Sequence, residues 1–263
     1  AFISADMPSS RGRVFYSKIC VAVSDRFIVT YICGSAANGL YSAAYKIPTV
    51  IALVAGVFNE AWQLSAISES KDKREVGNFF SAVFEKYQAI LFLGCSFLIP
   101  FTPLATKILL NESYFSAWKF MPVLLLATVF SSLVTFIGTI YTVKKKTMMS
   151  LFTAAAGAGL NIALNILMIP SMGAQGAGIA TAISYFAVFT LRAIHSKKFM
   201  PFNLKVWKLT LNTIFVLVQI VFMVLSLPGN VWVQIAMVGG IAALNGKSLV
   251  SAFAKILKKI IKK

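Results

Sequence analysis

The chain is short of acid. Eight aspartates and glutamates face 25 lysines and arginines, giving a formal net charge of +17 over 263 residues. No acidic residue follows Glu112, so the later basic residues are expected to lack a counter-ion within the chain. Histidine is scarcer still. His195 stands alone in a basic stretch, with no second histidine or thiolate nearby, and that argues against a metal site. Cys20, Cys33 and Cys95 fall in apolar runs without a spacing pattern. They read as small buried hydrophobes and not as a disulfide framework. The sequence also lacks a nucleophile–histidine–acid set and a glycine-rich phosphate loop ahead of a lysine. Neither an enzyme nor a bound cofactor is expected.

What is abundant is apolar sequence. Hydrophobic residues make up 58% of the chain and the mean hydropathy is +0.80. That composition predicts an all-α integral membrane protein. In a soluble protein the excess of positive charge would suggest nucleic acid. Here the basic residues sit between apolar runs, so no nucleic acid is expected. A basic rim of this kind is a topology signal and attracts anionic membrane lipid.

About 20 mostly apolar residues are needed to cross the hydrocarbon as a helix. Eight candidate spans satisfy this, at about 14–33, 39–67, 87–110, 118–143, 148–169, 177–194, 209–227 and 231–250. Residues 1–13 have no signal-peptide layout, and the start almost directly at a span leads us to expect sequence upstream. Residues 14–194 are expected to form a six-helix bundle and 209–250 two trailing helices. Residues 195–208, with Phe199, Phe202, Leu204 and Trp207 among lysines, read as an interfacial segment, as do 76–86. Residues 251–263 form a lysine-rich tail.

Loop charge sets the expected orientation. One side carries Arg11, Arg13, Lys18, Lys71, Lys73, Arg74, Lys144, Lys145, Lys146, Arg192, Lys197, Lys198, Lys205, Lys208 and the tail lysines. The other carries only Lys107 and Lys119. The asymmetry puts both ends of the chain in the cytoplasm and calls for an even number of spans.

The most informative stretch is 24–48. It reads as a helix, a tight turn and a second helix, with Asp25, Arg26 and Lys46 at depths where a bilayer excludes charge. Counting from the turn, Asp25 and Lys46 come out level, roughly 12–14 Å deep, so an opposite pair is expected. Arg26 points about 100° away from its neighbour. Glu60 lies fourteen residues after Lys46, on nearly the same helical face, with Pro48 between them. One reading is an ion-pair set that locks two helices. The other is a cationic cavity for a negatively charged headgroup, with Arg26 and Lys46 contacting phosphate and Asp25 and Glu60 tuning or gating. Asn161 and Asn165, one turn apart, are expected to bond across helices. The runs 154–159 and 173–178, rich in glycine and alanine, read as close-packing surfaces.

Ser24-Asp25-Arg26-Phe27-Ile28, followed by Gly39-Leu40-Tyr41-Ser42-Ala43-Ala44-Tyr45-Lys46-Ile47-Pro48, resembles the bacterial polysaccharide (O-antigen type) lipid flippases. These belong to the multidrug/oligosaccharidyl-lipid/polysaccharide exporter superfamily. The stretch from Ile169 through Gly173-Ala174-Gln175-Gly176-Ala177-Gly178 to Tyr185 is similar to that family's glycine-rich turn between two late spans. The likeness covers about 24–201. It implies the C-terminal lobe of a two-lobed exporter, with an N-terminal bundle as the missing partner. It further implies an inner-membrane protein that moves undecaprenyl-diphosphate-linked oligosaccharide outward for surface polysaccharide biosynthesis. A multidrug or small-cation exporter of the same superfamily, and an inactive C-terminal fragment, are the alternatives.

Overall fold

In the computed structural model the backbone is described for residues 10–67 and 73–261, and side chains for 24–63 and 75–251. The charged loop at 68–72, Cys20, and the tail side chains beyond 251 lie outside the described residues. Every element among the described residues is helical.

The first helix, α1, spans Ser10–Ala44 and doubles back at Gly34, whose φ of +87° suits a residue without a Cβ. The reversal is visible in a hydrogen bond. The Tyr41 hydroxyl reaches Asp25 across sixteen residues at 3.3 Å, whereas a straight helix would separate the two by about 24 Å. Thus the expected helix–turn–helix is present, with its turn at Gly34 and with Asn38 and Gly39 already helical. Helix α2, Lys46–Ile67, follows a break at Tyr45. Pro48 causes that break, since it offers no N–H to the Ala44 carbonyl and its ring crowds that carbonyl.

Helix α3 runs unbroken over Lys73–Leu98. The segment expected at the interface, 76–86, belongs to the first turns of this helix, with Phe80 and Phe84 buried against the core and Phe79 exposed. Pro100 and Pro103 then divide the chain into a 3-10 turn at Ile99–Phe101 and α4, Thr102–Leu109. A second 3-10 stretch, Glu112–Lys119, is started by the Asn111 side chain, which accepts from the Ser113 N–H. Helices α5 (Met121–Val143), α6 (Thr147–Met172) and α7 (Ala174–Ser196) follow, with Gly173 at φ +61° joining the last two. The chain closes with α8 (Val206–Val224) and α9 (Asn230–Ile261).

Among the described residues six helices are long and apolar enough to cross a membrane, or up to seven if the bent pair Ser24–Ala44 and Lys46–Gln63 counts as one span, against the eight spans expected. Helix α5 is the axis and is the most buried of them. Helix α7 packs along it, α6 lies against α7, and α1 lies against α6. On the other flank α2 packs on α5, and α3 carries α9, which pairs with α8. An aromatic cluster fills the middle. Phe136 of α5 is ringed by Phe58, Trp62, Phe80, Phe84 and Tyr87, with centroids between 4.8 and 6.3 Å. Such rings bury large apolar areas and add roughly 0.5–1.5 kcal/mol per pair through their geometry.

Two loop expectations change. Arg192 was expected to be a rim charge, yet it is buried near the lysine-rich end of α7. Its guanidinium donates to the Val134 and Ser150 carbonyls and to the Ser150 and Thr153 hydroxyls. Both carbonyls lie within helices, so each takes the guanidinium on its second lone pair, and a cation is housed without a carboxylate. Gly138 makes the room, because a Cβ there would stand 2.7 Å from the guanidinium. Nor are the late lysines without counter-ions. Lys205 and Lys208 both bond Glu85 at 2.7 Å. The acid precedes them by about 120 residues in the chain, so only the fold brings them together. The 197–205 connection packs down on α3, with Phe202 5.1 Å from Phe80 and the Pro201 carbonyl over Gly77.

Candidate functional site

Asp25 is fully buried, and no lysine or arginine forms an ion pair with it among the described residues. Three helices supply its surroundings. The Thr181 hydroxyl of α7 lies 2.7 Å from Oδ2. The Asn165 amide of α6 donates to Oδ1. The Tyr41 hydroxyl, returning along α1, donates to Oδ2 at 3.3 Å. Asn161, one turn before Asn165, accepts from Asn165 and reaches Thr181. Close packing makes the meeting feasible. Gly157 leaves room for Val188, whose Cγ2 would stand 2.3 Å from an added Cβ, and Gly176 lies against the α6 backbone at Met168. Of the other small residues of the first run, Ala155, Ala156 and Gly159 are exposed.

The heavy-atom geometry suits two protonation states. The Thr181 hydroxyl has one proton and two acceptors in reach, Asp25 Oδ2 and the Ala177 carbonyl at 2.9 Å. With the carboxylate ionised, the hydroxyl donates to it. With the carboxyl protonated, the hydroxyl accepts and donates to Ala177 instead. The site also carries spare oxygen. Asn165 Oδ1 and the Ser184 hydroxyl, three residues after Thr181 on α7, are buried without a partner. One carboxylate among neutral oxygens balances one positive charge, a proton or a small monovalent cation. No group of three or more histidine, cysteine, aspartate or glutamate side chains that could hold a metal occurs among the described residues.

A chain of hydroxyls leads away from the carboxylate. Tyr41 and Tyr45 oxygens are 3.1 Å apart, and the Arg26 guanidinium lies 5.8 Å from the centre of the Tyr45 ring. The buried acid is thus linked through two tyrosines to an exposed cation.

The four residues singled out by sequence therefore part company. Asp25 is buried, whereas Arg26, Lys46 and Glu60 are exposed. The level partner of Asp25 is Tyr41 and not Lys46, because the turn falls at Gly34 and leaves Lys46 five residues deeper than Tyr41, about 7.5 Å. Asn161 and Asn165 do bond across helices, as expected. Sequence alone gives Thr181 and Tyr41 no such role; Thr181 follows the glycine–alanine run 173–178, which signals packing alone. A groove of about 590 Å³ opens between α5, α7 and α8. Its walls are apolar except for Gln175 and Thr213, and they include neither Arg26 nor Lys46.

No family model, curated protein or solved structure matches the chain.

Proposed function

We propose that this chain belongs to a secondary transporter that moves an undecaprenyl-diphosphate-linked oligosaccharide across the bacterial inner membrane, and that Asp25 is its coupling site. The observation that carries the proposal is the carboxylate itself, buried among neutral side chains of membrane-crossing helices. An ionised group there costs at least about 2.5–3.5 kcal/mol, so such residues mark ion or proton pathways. Taking up a proton or a monovalent cation removes that cost, and releasing it restores the cost. The equilibrium between conformations can follow the difference. Asp25 joins α1 to α6 and α7, so its occupancy bears on how these helices pack. It bears also on Tyr41, Tyr45 and Arg26.

The cargo rests on the flippase resemblance and on Arg26 and Lys46, exposed cations suited to a diphosphate. In this reading the membrane-crossing helices form a C-terminal lobe, the sugars cross beside it, and both chain ends face the cytoplasm. A small-cation exporter is the second reading, favoured by the oxygen-rich setting of Asp25.

Complementation separates the two. A strain lacking its polysaccharide flippase is given the full-length gene, either unchanged or carrying Asp25→Asn. The proposal expects the unchanged gene to restore surface polysaccharide and the Asp25→Asn gene to fail, with both proteins present in the membrane. Resistance to organic cations without polysaccharide would select the second reading. Full restoration by Asp25→Asn would remove Asp25 from the mechanism.

A further inference from the structure

A second run of buried polar side chains crosses the protein between α3, α8 and α9. At the lysine-rich end Glu85 binds Lys208 and the Ser248 hydroxyl, each on a different helix. Towards the opposite end Ser96, Gln219 and Gln234 bond one another, and Gln234 continues to Asn230. Between these two levels stand Gln88, Asn212 and Asn245, all with no exposure to solvent. The Asn245 amide donates to Asn212 and to the Ile241 carbonyl. Four buried atoms in this trio have no partner: Gln88 Oε1 and Nε2, Asn212 Nδ2 and Asn245 Oδ1.

Helical rise puts the trio at one height. Gln88 lies three residues beyond Glu85, Asn245 three before Ser248 and Asn212 four beyond Lys208. All three are therefore about 4.5–6 Å above the Glu85 level. Asn212 turns only about 40° from Lys208, and Gln88 and Asn245 each turn about 60° from Glu85 and Ser248. Two donors and two acceptors left unpaired at one height match what an internal water needs, which is two to four polar partners. We infer that α3, α8 and α9 close on a bound water held by Gln88, Asn212 and Asn245. That water completes the polar contact that docks the α8–α9 pair on α3.

A double-substitution cycle tests this in the full-length protein in detergent, read as the thermal-unfolding midpoint. Gln88→Met keeps the length of the side chain and removes its polar end; Asn212→Leu does the same on α8. The inference expects Gln88→Met to lower the midpoint by about 2–4 °C in the native background. In the Asn212→Leu background it expects little further loss, because both act on one water. Additive shifts, or a Gln88→Met protein as stable as the native one, would overturn it. Should either variant fail to fold, a map of the unsubstituted protein that resolves ordered waters decides the matter. Density bridging the three side chains supports the inference, and a dry, directly bonded trio refutes it.

Discussion

Two carboxylates are tied to distant helices in this protein, and their surroundings could hardly differ more. Glu85 sits midway along α3 with two lysines at 2.7 Å and a serine hydroxyl at 3.0 Å. Asp25 sits wholly inside, bound by two hydroxyls and an amide, with no cation in an ion pair among the described residues. Asp25 gathers three separate stretches of chain and Glu85 two. One is neutralised in place and needs nothing more. The other is held by neutral groups alone, and in the proposed function a proton or a passing cation balances its charge.

That contrast breaks most visibly at Asp25. Asp25→Asn should abolish coupled transport while leaving the protein folded, because the amide keeps the size and one acceptor of the carboxyl. Transport assays alongside membrane abundance check both halves. Next in size is Gly77→Ala beside the Glu85 clasp. A Cβ there would lie 1.8 Å from the Pro201 carbonyl oxygen. Backbone must move to admit it, at a cost of about 1–3 kcal/mol, seen as a lowered unfolding midpoint. Thr181→Val removes one of the hydroxyls at Asp25 and should cost about 1 kcal/mol in stability. Transport should fall without vanishing, since Asn165 and Tyr41 remain. Glu85→Gln is expected to be the mildest. The pair with Lys205 is half-exposed, and such pairs contribute about 0–1 kcal/mol. The amide oxygen still accepts from the more buried Lys208. A loss of transport in Glu85→Gln as deep as that in Asp25→Asn would erase the distinction between the two acids.

The two regions also differ in how far they can be read from sequence. The helical hairpin, the membrane-spanning character and the bonding of Asn161 and Asn165 all follow from local pattern: apolar length, a buried charge, amides one turn apart. The partner of Asp25 does not. A turn spread over 34–38 sets Lys46 level with Asp25, a reversal confined to Gly34 sets Tyr41 there, five residues earlier, and nothing local tells the two turns apart. Glu85 with Lys205 and Lys208 is likewise invisible, being a contact between distant parts of the chain. Arg192 misled for a related reason. A cation near a span end resembles a rim residue unless neighbouring helices are known to aim carbonyls at it.

Reconstitution of the full-length protein in vesicles, with the movement of a labelled lipid-diphosphate oligosaccharide followed under an imposed proton or sodium gradient, tests the role of Asp25 most directly. The account predicts that one gradient accelerates movement in the native protein and that Asp25→Asn responds to neither. If Asp25→Asn moves the lipid at the native rate, with the native response to the gradient, the buried carboxylate is only part of the scaffold.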